Sequence, residues 1–449
     1  MTRSGIYTVR RVKDELMAIS SPNTSTPAVA PGTGQSYGAP LATVTTLFFM
    51  WGFLTCLNDI LVPHLKSIFD LNYTEVMLIQ FAFFGAYFIF SIPSAKIIDA
   101  IGYQRSMVAG LLTMGVGAFL FVPAASVPSY PLFLAALIVL AAGITCLQVA
   151  ANPYVTVLGK PETASSRLNL TQAFNSLGTF LAPFFGGLFI LTAAPNMKEI
   201  RVLAPDALQA FRVHEAATVK MPYVGLGIAL VVLAIAIGRF KLPKIEHAQH
   251  HLGQKVEDSI WKHPNLIFGA IAIFVYVGAE VSIGSFLVNY FSQPEIGGLT
   301  EKVAASFVAF YWGGAMVGRF IGSALLQKVK TGSLLGLCAV CAAALVAISM
   351  LTNGHAAMYS IILVGFFNSI MFPSIFTLGV AELGPLTGDG SGIMIMAIVG
   401  GAIVPVAQGW IADHIGIHHA FFLPVICYLY ILFFALSGSK PNSERYAKA

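Results

Sequence analysis

Apolar runs long enough to cross a bilayer dominate this chain and leave it few folds. They lie at 41–64, 76–99, 105–125, 130–158, 168–193 and 222–241, and again at 264–291, 303–326, 332–352, 357–382, 390–413 and 417–437. A helix needs about 20 mostly apolar residues to span the hydrocarbon core. Charged residues make up only 10% of the 449 positions, where a soluble domain carries about 25%. The expectation is an all-α membrane protein with twelve transmembrane helices. Its 42 glycines and 23 prolines suit close helix contacts and broken helices. The net charge of +5 is no mark of nucleic-acid binding, because the basic residues sit mostly in loops and at helix ends. Cys56, Cys146, Cys338, Cys341 and Cys427 all fall in apolar runs and are expected to stay free.

The runs divide into two sets of six. Residues 1–40 hold no apolar core, so no cleaved signal peptide is expected. Their Ser-, Thr-, Pro- and Gly-rich part reads as a disordered N-terminus. One six-helix bundle is predicted over 41–241, a linker over 242–263, a second bundle over 264–438 and a tail over 439–449. Positions recur between the halves in the same order. Gly178 and Pro183 match Gly400 and Pro405; Gln148 and Pro153 match Asn368 and Pro373; Phe84-Gly85 matches Trp312-Gly313. Two pseudo-symmetric bundles imply a site at the midplane between them, opened by rocking one against the other. Of the 25 Lys and Arg residues, only Lys66, Lys198, Arg201, Arg212, Lys220 and Lys302 fall on the side opposite the termini and linker. Excess positive charge marks the cytoplasmic side, so both termini are predicted to be cytoplasmic.

Polar groups inside these runs are the functional candidates. Asp59 lies near the end of the first run, with Asn58 beside it. A carboxylate at membrane depth costs a few kcal/mol or more and needs a polar interior and a partner. Asp59 therefore reads as a cation- or proton-binding group; a helix-end carboxylate at the interface is the structural alternative. Glu280 sits mid-run in Tyr276-Val277-Gly278-Ala279-Glu280, far from any interface. Gln148, Asn152, Asn169, Gln172, Asn175, Asn289, Asn368 and Gln408 form a set of amides. Amides both donate and accept, which suits a neutral polyhydroxylated ligand, although buried amides also hold helices together. Trp51, Tyr276, Tyr311 and Trp312 are candidate faces for a sugar ring. Asp99 with Arg105, and Arg319 with Glu382, read as charge latches at helix ends that serve gating or stability. His247, His250 and His251, and His414, His418 and His419, read as solvated loop histidines, with no second ligand cluster at a metal-site spacing.

Several stretches carry a family resemblance. Leu57-Asn58-Asp59-Ile60-Leu61, Ala150-Ala151-Asn152-Pro153 and Leu168 to Ser176 resemble fucose symporters. Tyr276 to Val281, Tyr311 to Arg319, Gly365 to Pro373 and Ala397 to Ala402 are similar to bacterial glucose/galactose transporters. Together they identify the chain as a member of the fucose/galactose/glucose symporters of the major facilitator superfamily, over Thr43 to Gly438. The resemblance implies sugar uptake driven by a cation gradient in a bacterial inner membrane, by a multi-pass protein that works as a monomer without a cofactor.

It also implies roles. Asp59, Asn58 and Gln148 would handle the cation. Gln172, Asn175, Glu280, Asn368, Trp312 and Gln148 would meet the sugar. One position departs from the pattern. Fucose symporters carry in the fourth span a glutamate that works with the first-span aspartate in proton coupling, and here that position is Gln148. Glutamine does not titrate, so a two-carboxylate relay is absent. Some glucose/galactose members are sodium-dependent, and an ionised Asp59 among amide and backbone oxygens suits sodium. Sodium coupling is the first expectation and proton coupling through Asp59 or Glu280 the second. A sugar sensor that binds without translocating is the third. No catalytic constellation is visible.

Overall fold

The structure is a computed structural model describing residues 37–69, 73–127, 129–189, 206–207, 210, 213–214, 217, 219–243 and 259–441, without the side chains of 57–69, 73–78, 183–184, 186–189 and 301–302. The predicted N-terminal tail, most of the linker with His247, His250 and His251, and most of the C-terminal tail lie outside these residues.

The described chain is helical throughout its membrane runs. In order the helices are α1 (Gly38–Phe69), α2 (Tyr73–Ile101), α3 (Tyr103–Ser126), α4 (Tyr130–Val157), α5 (Ala164–Phe189) and α6 (Lys220–Arg239). Then follow α7 (Pro264–Phe291), α8 (Glu301–Leu325), α9 (Thr331–Leu351), α10 (Gly354–Gly379), α11 (Gly384–Ile415) and α12 (Ile417–Gly438). Among the described residues, eleven of them are long and apolar enough to cross a membrane. The twelfth, α5, carries Asn169, Thr171, Gln172, Asn175, Ser176 and Thr179, and this polar content marks it as a helix with interior business. All five cysteines are free.

Two prolines shape the interior by what they remove. Pro373 has no N–H, so the carbonyl four residues back, on Ser369, loses its helical donor. There α10 breaks: one helix ends at Asn368 and the next starts at Met371. A freed carbonyl inside a membrane must find another donor. Arg319 Nε supplies it at 3.3 Å to Ser369, and Tyr276 Oη donates to the Asn368 carbonyl at 3.1 Å. Pro153 does the same to Val149 in α4, and Ser391 Oγ of α11 donates to that carbonyl at 2.9 Å. The repeated amide-to-proline spacing thus places one freed carbonyl directly after Gln148 and one after Asn368.

The pseudo-symmetry read from the glycines is physical contact. A Cβ on Gly178 would fall on the Phe49 carbonyl, where α5 crosses α1. A Cβ on Gly400 would fall on the Phe274 carbonyl, where α11 crosses α7. Gly85 and Gly313, the other matched pair, have nothing within 4 Å of a Cβ. Gly400→Ala is therefore expected to cost about 1–3 kcal/mol through overpacking. Gly313→Ala should leave stability nearly unchanged. Thermal unfolding of the two variants checks the contrast, and equal midpoints would refute the packing argument.

The halves meet at the end of the bundle that carries the linker. Ser165 Oγ lies 2.5 Å from Thr377 Oγ1, and Ser166 Oγ donates to the Ser323 carbonyl at 2.7 Å. Asn169 Nδ2 donates to the Arg319 carbonyl at 2.7 Å. Among the described residues, the hydrogen bonds between halves all lie from the midplane toward this end. The linker end is closed.

Candidate functional site

The second half builds a network around Glu280. Tyr276 lies one turn before it on α7, so the two share a face. Tyr276 Oη donates to Glu280 Oε1 at 2.8 Å. Arg319 Nη2 of α8 stands 3.9 Å from the same oxygen, with both side chains 13% exposed. Asn368, the last residue before the α10 break, donates from Nδ2 to Tyr311 Oη at 2.8 Å. Its Oδ1 accepts from Tyr428 Oη of α12 at 2.8 Å. Tyr311 Oη in turn lies 3.4 Å from the Glu280 carbonyl. Four helices therefore orient a single carboxylate, and a guanidinium balances its charge.

The first half contributes neutral amides. Gln148 Nε2 donates to Tyr87 Oη of α2 at 2.7 Å. Gln172 Nε2 of α5 reaches Asn152 Oδ1 of α4 at 3.5 Å. Asn152 Nδ2 is buried with no partner. A buried donor left unmade costs about 1–3 kcal/mol, so this N–H points to a ligand or water as its acceptor.

Arg319 joins the two sets. Its Nη1 donates to Ser176 Oγ of α5 in the first half, while Nε holds Ser369 and Nη2 faces Glu280. This corrects the expected latch with Glu382. Arg319 lies well inside α8, which runs on to Leu325, and its long side chain turns inward to the buried carboxylate. Glu382 sits beyond the end of α10, in the turn before α11, with φ 59°. Asp99 faces the other half across the seam: a Cβ on Gly388, in the first turn of the Thr387–Met396 segment, would lie 3.1 Å from its Oδ1. Arg105 is exposed on α3.

Other expectations change as well. Asn368 was expected at the sugar, but it is fully buried with both ends of its amide bonded, so it orients the tyrosines instead. Asn175 commits Nδ2 to the Phe48 carbonyl at 3.0 Å, which ties α5 to α1 and leaves Oδ1 for a ligand. Tyr276 and Tyr311 are fully buried and act through their hydroxyls, not through ring faces. Trp51 is 5% exposed against Phe48. Trp312, at 40% exposure, lies over Gly284, one turn beyond Glu280 on α7, and keeps an available ring. The side chains of Asn58 and Asp59 lie outside the described part. Tyr87, Ser176 and Tyr428 join these networks by hydrogen bonds but carry no local signal, because their partners are distant in sequence.

The comparisons agree with this architecture. A model of the Major Facilitator Superfamily matches residues 41–398. A glucose/galactose transporter of Brucella abortus is 54% identical over 424 residues, covering 94% of this chain and 100% of that protein. The L-fucose-proton symporter of Escherichia coli is 35% identical over 417 residues, covering 90% and 94%. A crystal structure of a superfamily transporter, FucP, in the outward conformation matches with a TM-score of 0.84 at 33% identity, covering 90% of this chain and 100% of that one. These relatives are transporters, not enzymes. Helix order, paired halves and sequence agree: the chain belongs to the Major Facilitator Superfamily.

Proposed function

We propose that the chain is a cation-coupled symporter that imports glucose- or galactose-type hexoses by alternating access. One observation carries this reading. The only carboxylate in the described network is balanced internally by Arg319, and the remaining polar groups are amides and hydroxyls. Such a site has no net charge to offer an ionic ligand. It offers donors and acceptors in mixed order, which matches the hydroxyls of a neutral sugar. Gln172, Asn152, Gln148 and the open oxygen of Asn175 are the proposed sugar groups, with Trp312 as the ring face. The Brucella abortus relative named a glucose/galactose transporter supports the hexose class.

Orientation follows from charge. With the linker side cytoplasmic by the positive-inside rule, the closed end faces the cytoplasm and the site opens outward. The locks across that end, from Ser165–Thr377 to Asp99 beside Gly388, are the proposed gate. Labelled-sugar counterflow in proteoliposomes tests transport directly. A sensor that binds without translocating would give no counterflow.

Sodium is the preferred coupling ion, at Asp59 and Asn58. Gln148 is a neutral amide bonded to a neutral tyrosine, so it has no proton to exchange. The second reading, proton coupling through Asp59 or Glu280, is favoured by the Escherichia coli relative named a proton symporter. The two separate cleanly. Under sodium coupling, sodium raises sugar affinity at fixed pH, and sugar raises sodium affinity by the same factor. Potassium does not replace it. Sugar affinity that ignores sodium and follows pH would reject sodium and leave the proton reading.

A further inference from the structure

The pseudo-symmetry fails at α6, and the failure leaves a cavity. In the second half α12 lies along α7: the Phe433 ring stands edge-on to Phe268 at 5.6 Å, and Tyr430 Oη donates to the Phe268 carbonyl at 3.3 Å. Symmetry would set α6 along α1 in the same way. Among the described residues α6 packs along α3, just as α12 packs along α9, but makes no comparable contact with α1. Gln104 Nε2 of α3 holds the Ile237 and Phe240 carbonyls at 2.8 and 2.7 Å, and Tyr223 stacks on Phe121 with centroids 4.2 Å apart. Between α1, α5 and α6 remains a crevice of about 780 Å³.

Its wall says what fills it. Leu41, Phe49, Met50, Phe174, Val232 and Leu233 make it apolar. Thr45 and Thr46 also line it, but their hydroxyls return to the Leu41 and Thr43 carbonyls at 2.7 Å each. Water there would find no partners, and an apolar cavity of this kind stays dry. Val232, at 59% exposure, marks its open side toward lipid. At the linker end the wall stops at Ala236. Arg239, three residues on, shares that helix face, and Lys241 follows; both are exposed. Neither has an acidic partner among the described residues.

We propose that this crevice binds an anionic phospholipid, with an acyl chain between α1, α5 and α6 and the phosphate on Arg239 and Lys241. The N-terminal segment is the competing occupant, since it enters at Gly38 on the crevice wall. It brings Arg3, Arg10, Arg11 and Lys13 against Asp14 and Glu15, so it would add positive charge where the site calls for an anion.

The test is thermal unfolding of the full chain in mixed micelles, with phosphatidylglycerol or phosphatidylcholine of the same acyl chains. Phosphatidylglycerol is expected to raise the midpoint by roughly 3 °C more than phosphatidylcholine. Arg239→Gln with Lys241→Gln should abolish that difference, and Ala236→Trp, which fills the crevice, should abolish both responses. Should Ala236→Trp fail to fold, the paired surface variant decides alone. Inorganic phosphate should give no shift. Equal shifts with the two lipids, an unchanged response in the paired variant, or a full response to phosphate alone would overturn the proposal. So would a lipid response that appears only after residues 1–36 are deleted, which would assign the crevice to that segment.

Discussion

Replacing Arg319 by leucine is expected to destabilise the protein by about 3 kcal/mol and to abolish transport. Arg319 is the only cation paired with Glu280 among the described residues. Removing one partner of a buried pair leaves the other charge uncompensated, and that costs about 3–5 kcal/mol. The loss also frees the Ser369 carbonyl and breaks the link to Ser176 across the halves. The low end of the range is appropriate because both side chains keep 13% exposure. A second substitution sharpens the test. Glu280→Gln in the same chain removes the orphaned charge and should restore much of the stability without restoring transport. Thermal unfolding of the two single variants and the double variant gives the coupling. Additive losses would show that Arg319 and Glu280 act independently.

Asp59→Asn is expected to abolish accumulation of sugar against its gradient, while exchange of sugar down its own gradient continues. Asp59 is the only formal charge in the body of the first run. Asparagine keeps the shape and loses the charge that would hold sodium or the carboxylate that would take a proton. Neither sodium coupling at Asp59 nor proton coupling through Asp59 survives. Uptake under an imposed gradient, compared with counterflow in the same proteoliposomes, reads the two activities separately. Normal concentration of sugar by the variant would remove Asp59 from the coupling site.

Helices, their number and their pairing into halves were legible in the chain itself. They rest on local properties: run length, apolar content, and glycines and prolines at repeated spacings. Gly178 and Gly400 meet backbone where symmetry placed them. The Pro153 and Pro373 spacings were legible as a repeat between the halves; that a missing N–H breaks α10 after Asn368 but leaves α4 continuous through Pro153 was not.

The partners of the polar groups were not legible, since they depend on how distant helices cross. Arg319 and Ser176 lie 143 residues apart, and Tyr428 and Asn368 lie 60 apart. Nothing local distinguishes an arginine near a helix end that latches a surface glutamate from one that turns inward. The length of α8 beyond Arg319 and the buried carboxylate on α7 decided it, because a charge without water is most stable beside its opposite. The same holds for Asn368 and the tyrosines. Their residue types announced hydrogen bonding, but only the packed bundle chose between ligand and neighbour, because a buried amide takes whichever partner the fold brings within 3 Å. The apolar crevice beside α6 is the extreme case: both runs are apolar enough to span, and only the packed bundle shows that α12 meets α7 through Phe433 and Tyr430 while α6 leaves a gap beside α1.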